Sequence, residues 1–302
     1  MFDIELEAII ERLKLCGFLI KDIKVIQYGV QLKVLFGEEE AVVRFYKNKK
    51  SGLKLDTSLI KNTDLKNEIS YCFKNTFKKY LISQEIDEKF DFYIGSDESG
   101  KGDYFGPLVV AGVKMTDENL IFLESCGIKD SKVLSEDRIF CLESEIINSK
   151  VLYKRITVLP EKYNNVYEFY RSKNANLNDI LARLHFETIS YFLDKESSFN
   201  VVVDKFSINS GLKEKFSGYK NVKFFEVERA ESKFLFVAAA SILARAEFLR
   251  QMKKLSDEVG IKLKRGSVSV RDVAQKIVEQ YGLDGLRKVA KLHFKITKEL
   301  KL

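Results

Sequence analysis

The residues best suited to chemistry in this sequence are four acids placed after or beside short apolar runs. Asp97 and Glu98 are adjacent and end such a run, inside the glycine-rich stretch GSDESGKGDYFGP. Asp204 follows three consecutive valines, and Glu231 begins a segment with helical periodicity. If the apolar runs are strands of one sheet, the four carboxylates can meet at one edge of that sheet.

A cluster of four carboxylates predicts a bound divalent cation, because the acids would otherwise repel one another. Oxygen donors are the ligands that Mg²⁺ and Mn²⁺ prefer, whereas zinc prefers histidine and cysteine. The chain has two histidines and four scattered cysteines without a C-x-x-C pair. The sequence therefore predicts a site for Mg²⁺ or Mn²⁺ and argues against zinc.

Regular strand geometry would separate Asp97 from Glu98, since successive side chains point to opposite faces of a sheet. We therefore expect a bend near one of them if both serve one site, and the neighbouring glycines allow it. Each acid also has an ordinary structural interpretation. Asp97 could form a turn and Glu98 could lie on the surface. Asp204 could cap a strand, and Glu231 could complement a helix dipole.

The segment from Gly95 to Lys101 also matches the G-x-x-x-x-G-K core of a phosphate-binding loop. Three features argue against that motif. The next residue is Gly102, where the motif needs a serine or threonine hydroxyl. Two acids inside the loop would repel phosphates, and the residues that follow have strand character where the motif needs a helix N-terminus.

The chain has 302 residues, a length that suggests two domains. Residues 1–82 are predicted to form a small helix–strands–helix domain, and the polar residues 83–91 are predicted to be a linker. In residues 92–302, strand patterns alternate with helical patterns, which favours an α/β domain with a mixed or mainly parallel sheet.

The net charge of +7 is unevenly distributed. Residues 41–80 contain 10 Lys and Arg against 3 Asp and Glu, and residues 250–302 contain 14 against 6. Such basic segments can attract a polyanion, although solvated helix surface explains them equally well.

The sequence has no apolar run near the ~20 residues that span a bilayer. Its first 11 residues contain four acids, which is unlike a signal or transit peptide. Scattered cysteines are typical of reduced thiols. We therefore expect a cytoplasmic protein without a membrane partner.

The stretch GSDESGKGDYFGPLVVAGV resembles the opening motif of the ribonuclease HIII family. Further blocks resemble that family and together cover most of residues 91–298: GIKDSKVLS, NANLNDILARLH, VVVDKFS, AESKFLFVAAASILAR and YGLDGLRKVAKLHFKIT. Residues 1–82 are similar in pattern to the family's N-terminal domain, which has a TATA-binding-protein-like α+β fold and binds substrate.

The resemblance implies an RNase H-like catalytic fold, in which a mixed β-sheet is flanked by helices. It implies an endonuclease that hydrolyses the RNA strand of RNA–DNA hybrids with two divalent ions, leaving 5′-phosphate and 3′-hydroxyl ends. The implied metal-binding catalytic residues are Asp97, Glu98, Asp204 and Glu231, and we expect Asp97 to bridge the two ions. The family often has Asp at the fourth position, so the longer Glu231 is a departure that puts its role in doubt.

The predicted substrate-binding residues are Ser99, Gly100, Lys101, Gly102, Ser131, Lys132, Arg44, Lys47, Lys49 and Lys50. We expect the backbone of the first four to approach the 2′-hydroxyl that distinguishes RNA from DNA. We expect Ser131 and Lys132 to contact phosphates, and the N-terminal cations to grip the hybrid without reading bases. His185 and His293 are expected to be structural, and the protein to act as a monomer without an obligate protein partner.

Two other functions remain open from the sequence. One is ribonuclease HII-like cleavage at single ribonucleotides embedded in duplex DNA. The other is a noncatalytic protein that binds RNA–DNA hybrids through the same basic faces. The four acids argue against the second, because negative charge weakens pure phosphate binding.

Overall fold

The computed structural model describes most of the chain in two compact units. The described residues are 6, 9–10, 13–14, 17–48, 52–63, 65–66, 69, 90–116, 119–120, 123, 126–128, 134–149 and 151–301. One unit consists of Met1–Leu81 with Ile121–Ile128, and the other of Ile82–Leu120 with Lys129–Leu302. Most of the predicted linker lies outside the described residues, and the boundaries at 82 and 92 stay predictions.

The first unit contains a four-stranded antiparallel sheet in the order β1-β2-β3-β4. Its strands are Leu19–Ile26, Gly29–Phe36, Glu39–Asn48 and Gly52–Asp56. Alternate residues of β2, namely Val30, Leu32 and Val34, are buried in one core cluster, as expected for a sheet with one covered face. The sheet agrees in part with the predicted α+β domain, but β4 was not foreseen in its basic segment.

The second unit is built on a five-stranded sheet in the order β7-β6-β5-β8-β9. Its strands are β5 (Phe92–Ser99), β6 (Leu108–Met115), β7 (Leu152–Val158), β8 (Phe199–Asp204) and β9 (Val222–Val227). The pairs β5–β6 and β6–β7 are antiparallel, whereas β5–β8 and β8–β9 are parallel. The sheet is therefore mixed, and the strand that carries Asp97 and Glu98 is at its centre.

Helices cover both faces of this sheet. They are α1 (Glu136–Asn148), α2 (Pro160–Ser172), α3 (Leu177–Ser190), α4 (Leu212–Phe216), α5 (Leu235–Val259) and α6 (Arg271–Val289). A Cβ on Gly95 would lie 2.4 Å from the carbonyl oxygen of Phe236 in α5, so α5 packs closely on one face of β5. On the opposite face, a Cβ on Gly112 would lie 2.7 Å from Thr188 in α3.

Three elements differ from the sequence-based expectation. Helix α2 was missed because its buried stripe is mainly tyrosine, with Tyr163, Val166, Tyr167 and Tyr170 at helical spacing. The long helix was expected to begin at Glu231, but Phe234 has extended backbone angles and α5 begins at Leu235. The pattern VRDVAQKIVEQYG predicts a helix that ends at Gly282, but α6 continues to Val289 through a kink at that residue. Among the described residues, no helix is long and apolar enough to cross a membrane.

His293 follows α6 and packs among aromatic side chains. Its Nδ1 lies 3.3 Å from the Tyr163 hydroxyl, and its ring centroid lies 4.5 Å from that of Tyr167. Burial lowers the pKa of His293 to about 4, with a further contribution from the positive charge of Lys291. The expectation that His293 is structural agrees with these contacts.

We expect the protein to lose stability through His293 as the pH falls from about 6.5 to about 4. In the unfolded chain a histidine titrates near its ordinary pKa of about 6.5. Within this window the unfolded state binds a proton that the folded state does not, so the free energy of unfolding decreases as the pH falls. Urea denaturation at several pH values measures the effect. His293→Gln should lose less stability across the window, and an equal loss in both proteins would contradict the assignment.

Candidate active site

Strand β5 presents its two acids to opposite faces of the sheet. Asp97 shares the α5 face with Gly95 and accepts a hydrogen bond from the Ser241 side chain. Glu98 shares the α3 face with Ser96, and both contact His185 of α3. The ladder with β6 stays in register through both acids. The expected bend is therefore absent, and the two carboxylates approach the sheet edge from different sides.

Asp97 is an acid in an environment that disfavours its charge. Its side chain is buried, with 4% of the residue exposed. Burial raises the pKa of Asp97 well above its usual range, the negative charges of Glu98 and Asp204 raise it further, and the hydrogen bond from Ser241 opposes them. The structure therefore brings three of the four predicted acids within electrostatic reach of one another.

Asp204 links this pair to the segment of the fourth acid. It ends β8, which runs parallel to β5, and the register pairs Val203 with Ser96. Its Oδ1 accepts a hydrogen bond of 2.8 Å from the backbone N–H of Ala230. Glu231 is the next residue, in a 3-10 turn at Ala230–Ser232, and only 4% of it is exposed. The turn begins after Arg229, whose φ of 53° is unusual for a residue other than glycine.

The glycine-rich loop after β5 is tied to the C-terminal part of the chain. The amino group of Lys291 is buried and donates to the carbonyl oxygen of Gly106 at 2.6 Å. The backbone of Tyr104 donates to the carbonyl of Gly266 at 3.0 Å, and Gly266 donates to Asp103 Oδ1 at 2.6 Å. These bonds fix the loop that carries the predicted contacts to the 2′-hydroxyl.

A basic groove with a volume of about 840 Å³ lies beside this loop. Its wall includes Met252, whose sulfur would lie 2.4 Å from a Cβ on Gly106 of the loop. The charged residues along it are Lys253, Lys262, Lys264, Arg265, Glu136 and Asp257. The groove therefore has four cationic and two acidic side chains. Part of the excess positive charge of residues 250–302 lies next to the loop.

The predicted substrate-binding residues are only partly covered by the described chain. In the loop, Gly100 is buried, Ser99 and Lys101 are partly buried, and Gly102 is exposed. Arg44 lies in β3, and its Nε donates to Gln31 at 2.9 Å. Of Lys47, only the backbone position in β3 is described. The others, Ser131, Lys132, Lys49 and Lys50, lie outside the described residues.

The acids fit divalent cations by their chemistry but do not form a ready-made cage. Within the described part of the chain, no three His, Cys, Asp or Glu side chains converge closely enough to hold a metal ion. Asp97 Oδ1 accepts the backbone N–H of Glu98 at 2.7 Å, just as Asp204 accepts that of Ala230. The donors are nevertheless carboxylate oxygens, and a cation would offset both the burial and the repulsion that raise the pKa of Asp97.

Sequence reasoning missed two side chains that contact the acids. The sequence pattern indicates only that Ser241 belongs to a helix, within a run of small residues. His185 was expected to be structural, yet it contacts Glu98. The spacing of Ser96 and Glu98, two residues apart on a strand, could have indicated a shared partner on that face.

Comparison with known proteins identifies the family. A family model described as Ribonuclease HII matches residues 94–297. The chain belongs to this family. It is 42% identical over 213 residues to the ribonuclease HIII of Phytoplasma mali (strain AT), across 68% of this chain and 72% of that relative. It is 38% identical over 235 residues to that of Protochlamydia amoebophila (strain UWE25), across 72% and 75% respectively.

The chain is therefore a ribonuclease H, a hydrolase that cleaves RNA in RNA–DNA hybrids. Its fold matches that of Bst-RNase HIII in complex with Mn²⁺, with a TM-score of 0.61 and 24% identity over 98% of this chain and 94% of that one. It also matches Aquifex aeolicus RNase H3, with a TM-score of 0.55 and 27% identity over 96% and 97%. The predicted RNase H-like fold is confirmed.

Proposed function

We propose that Asp97, Glu98, Asp204 and Glu231 hold two divalent ions, Mg²⁺ or Mn²⁺, with which this ribonuclease H cuts the RNA strand. The observation that carries the proposal is the burial of Asp97 beside two further carboxylates, which raises its pKa. Such an arrangement is costly without a cation and is typical of metal-dependent sites. The Mn²⁺ complex of Bst-RNase HIII supports the choice of metal.

When bound, the two ions would lower the pKa of an attacking water and stabilise the leaving 3′ oxygen, which gives 5′-phosphate and 3′-hydroxyl ends. The chain's own residues prepare the site. Ser241 orients Asp97, and the backbone of Ala230 orients Asp204. The 3-10 turn brings Glu231 to a buried position one residue further on.

The substrate would be selected by the loop that follows β5. Gly102 is exposed and a Cβ there would meet no atom within 4 Å, so the backbone can approach a ligand closely. We assign recognition of the 2′-hydroxyl to the backbone of Ser99–Gly102. Arg44, Lys47, Lys49 and Lys50, together with Ser131 and Lys132, would contact the sugar–phosphate backbone without reading bases.

The physiological setting that fits this function is the cytoplasm, with the protein acting as a monomer and without an obligate protein partner. A second activity, cleavage at single ribonucleotides within duplex DNA, is supported by the match of the Ribonuclease HII model to residues 94–297. The two activities differ in how many ribonucleotides the substrate must contain.

A cleavage assay tests the proposal. A labelled RNA–DNA hybrid and a DNA duplex with one ribonucleotide are each incubated with Mg²⁺, with Mn²⁺ and with a chelator. We expect the hybrid to be cut with either metal and not with the chelator. Preferential cutting of the single-ribonucleotide duplex would favour the second activity. Tight hybrid binding without cutting under any condition would favour a noncatalytic binding protein.

We expect the basic groove to contribute to hybrid binding through Lys262 and Lys264. Each lysine that neutralises a phosphate releases a counterion, so its loss reduces the salt dependence of binding by about one unit of slope. The double variant Lys262→Gln/Lys264→Gln should therefore bind more weakly, with a slope of log K against log salt that is smaller by about two. Fluorescence anisotropy with labelled hybrid measures both quantities. An unchanged slope would exclude the groove from the interface, and Lys220→Gln, outside the groove, is the matched control.

A further inference from the structure

The carboxylate of Glu98 contacts two side chains, His185 and Lys101, and both of these contact Phe206. Its Oε2 lies 3.3 Å from His185 Nε2, and its Oε1 lies 3.8 Å from Lys101 Nζ. Lys101 Nζ donates to the backbone oxygen of Phe206 at 2.7 Å. The rings of Phe206 and His185 stack with centroids 5.0 Å apart and planes 6° apart. We call these four residues the Glu98 clamp.

The clamp orients Glu98 through residues other than those that orient the remaining acids. Since β5 alternates, Glu98 lies on the face opposite to Asp97 and its partner Ser241. The clamp draws instead on α3, on the glycine-rich loop and on the segment two residues beyond Asp204. The position of Glu98 is therefore coupled to α3, to the glycine-rich loop and to the segment after β8, but not to α5 or the 3-10 turn, which support Asp97 and Asp204.

His185 is the rigid member of the clamp. None of its side chain is exposed, and its Nδ1 lies 2.8 Å from Ser96 Oγ, while that hydroxyl lies 2.9 Å from the carbonyl oxygen of Ala111. Both ring nitrogens are thus engaged, and stacking on Phe206 prevents the ring from tilting. A carboxylate only accepts hydrogen bonds, so Nε2 is the nitrogen that donates to Glu98.

Lys101 is the replaceable member of the clamp. Its side chain is 33% exposed, and its contact with Glu98 is the longer of the two. An ammonium group beside a carboxylate offsets its negative charge, as a metal ion does. The attraction is weaker, because the ammonium carries one positive charge and the metal ion carries two. Lys101 can therefore leave Glu98 for solvent or for a phosphate while His185 stays in place.

We propose that His185 is a positioning residue that orients Glu98 toward the metal ions, and that Lys101 is an internal cation that competes with them for Oε1. This proposal rests on the proposed metal-binding role of Glu98. It predicts that removing the two partners changes metal affinity in opposite directions. If either residue had only a structural role, its replacement would lower the stability of the protein, and the two variants would not change metal affinity in opposite directions.

The test measures Mn²⁺ binding to hybrid-free protein by titration calorimetry, together with kcat and KM on the hybrid. His185→Phe preserves an aromatic ring against Phe206 but removes both nitrogens. We expect it to lower Mn²⁺ affinity by about 10- to 100-fold, the usual effect of losing a group that orients a metal ligand, and to lower kcat with it. His185→Gln, whose amide can donate to Glu98, should recover at least part of the loss.

Lys101→Gln should instead raise Mn²⁺ affinity by about twofold to fivefold, because a long, partly buried ion pair that competes with the metal is lost. Unchanged Mn²⁺ affinity and kcat in both His185 variants would overturn the positioning role. Weaker Mn²⁺ binding in Lys101→Gln would overturn the competition. If His185→Phe does not fold, His185→Leu, which also lacks both nitrogens, takes its place in the comparison with His185→Gln and Lys101→Gln. Wild-type protein that neither binds Mn²⁺ nor cuts hybrid would refute the proposed function itself, and the clamp proposal with it.

Discussion

Replacing Asp97 with Asn is expected to abolish cleavage of the hybrid while stabilising the metal-free fold. Asn is nearly isosteric but removes the charge that the proposed metal ions need. The loss of several kcal/mol of transition-state stabilisation lowers kcat by about 10³-fold or more. The buried charge beside Glu98 and Asp204 is removed at the same time, so the melting temperature without metal should rise. Single-turnover cleavage and thermal unfolding measure the two effects.

The sign of the stability change separates this explanation from simple misfolding. A variant that had lost activity through damage to the fold would melt at a lower temperature. In the expected result, the variant melts higher than the wild type in chelator, and Mn²⁺ raises its melting temperature less than it raises that of the wild type. Activity within tenfold of wild type would show that Asp97 is not a metal-binding catalytic residue.

Replacing Gly100 with Ala is expected to destabilise the protein and to disturb the site. Gly100 has a φ of +89°, and a Cβ there would lie 2.1 Å from the backbone oxygen of Pro107. The left-handed conformation costs an alanine about 1–2 kcal/mol, and relieving a backbone clash costs about 1–3 kcal/mol more. The loop must therefore move, and a displacement of about 1 Å near reacting groups can lower the rate by about 10²-fold.

Gly102 offers a matched control in the same loop. A Cβ at this position would meet no atom within 4 Å, and its φ is not in the left-handed region. Gly102→Ala should therefore change the free energy of unfolding by less than about 1 kcal/mol. Chemical denaturation of both variants gives the comparison. Equal stability of the two would mean that the backbone around Gly100 relaxes without cost.

The local sequence was sufficient to predict the mixed sheet and the strands on which Asp97 and Asp204 lie. Short apolar runs ending in Asp97 and Asp204 predict strand ends, and parallel pairing of β5 with β8 brings those ends together. The pattern also predicted that Asp97 and Glu98 point to opposite faces. The expected bend is absent because helices pack on both faces of the sheet. Asp97 contacts Ser241 on one face, and Glu98 contacts His185 on the other.

Contacts between distant segments could not be derived from local patterns. His185 lies 87 residues from Glu98 in the chain, and its position depends on how α3 packs against the sheet. Lys291 reaches the carbonyl of Gly106 across 185 residues for the same reason. The start of α5 was also predicted wrongly. The helical periodicity of the sequence runs from Glu231 without a break, but the extended backbone of Phe234 separates Glu231 from the helix.

The most direct test of the metal-binding role is the location of Mn²⁺ in crystals grown with a non-cleavable RNA–DNA hybrid, measured by anomalous diffraction. We expect two Mn²⁺ peaks about 3.5–4 Å apart. Asp97 should contact both, while Glu98, Asp204 and Glu231 should complete the ligand set. Mn²⁺ peaks that lie away from Asp97, at a site built from other residues, would contradict the assignment of these acids as the catalytic centre.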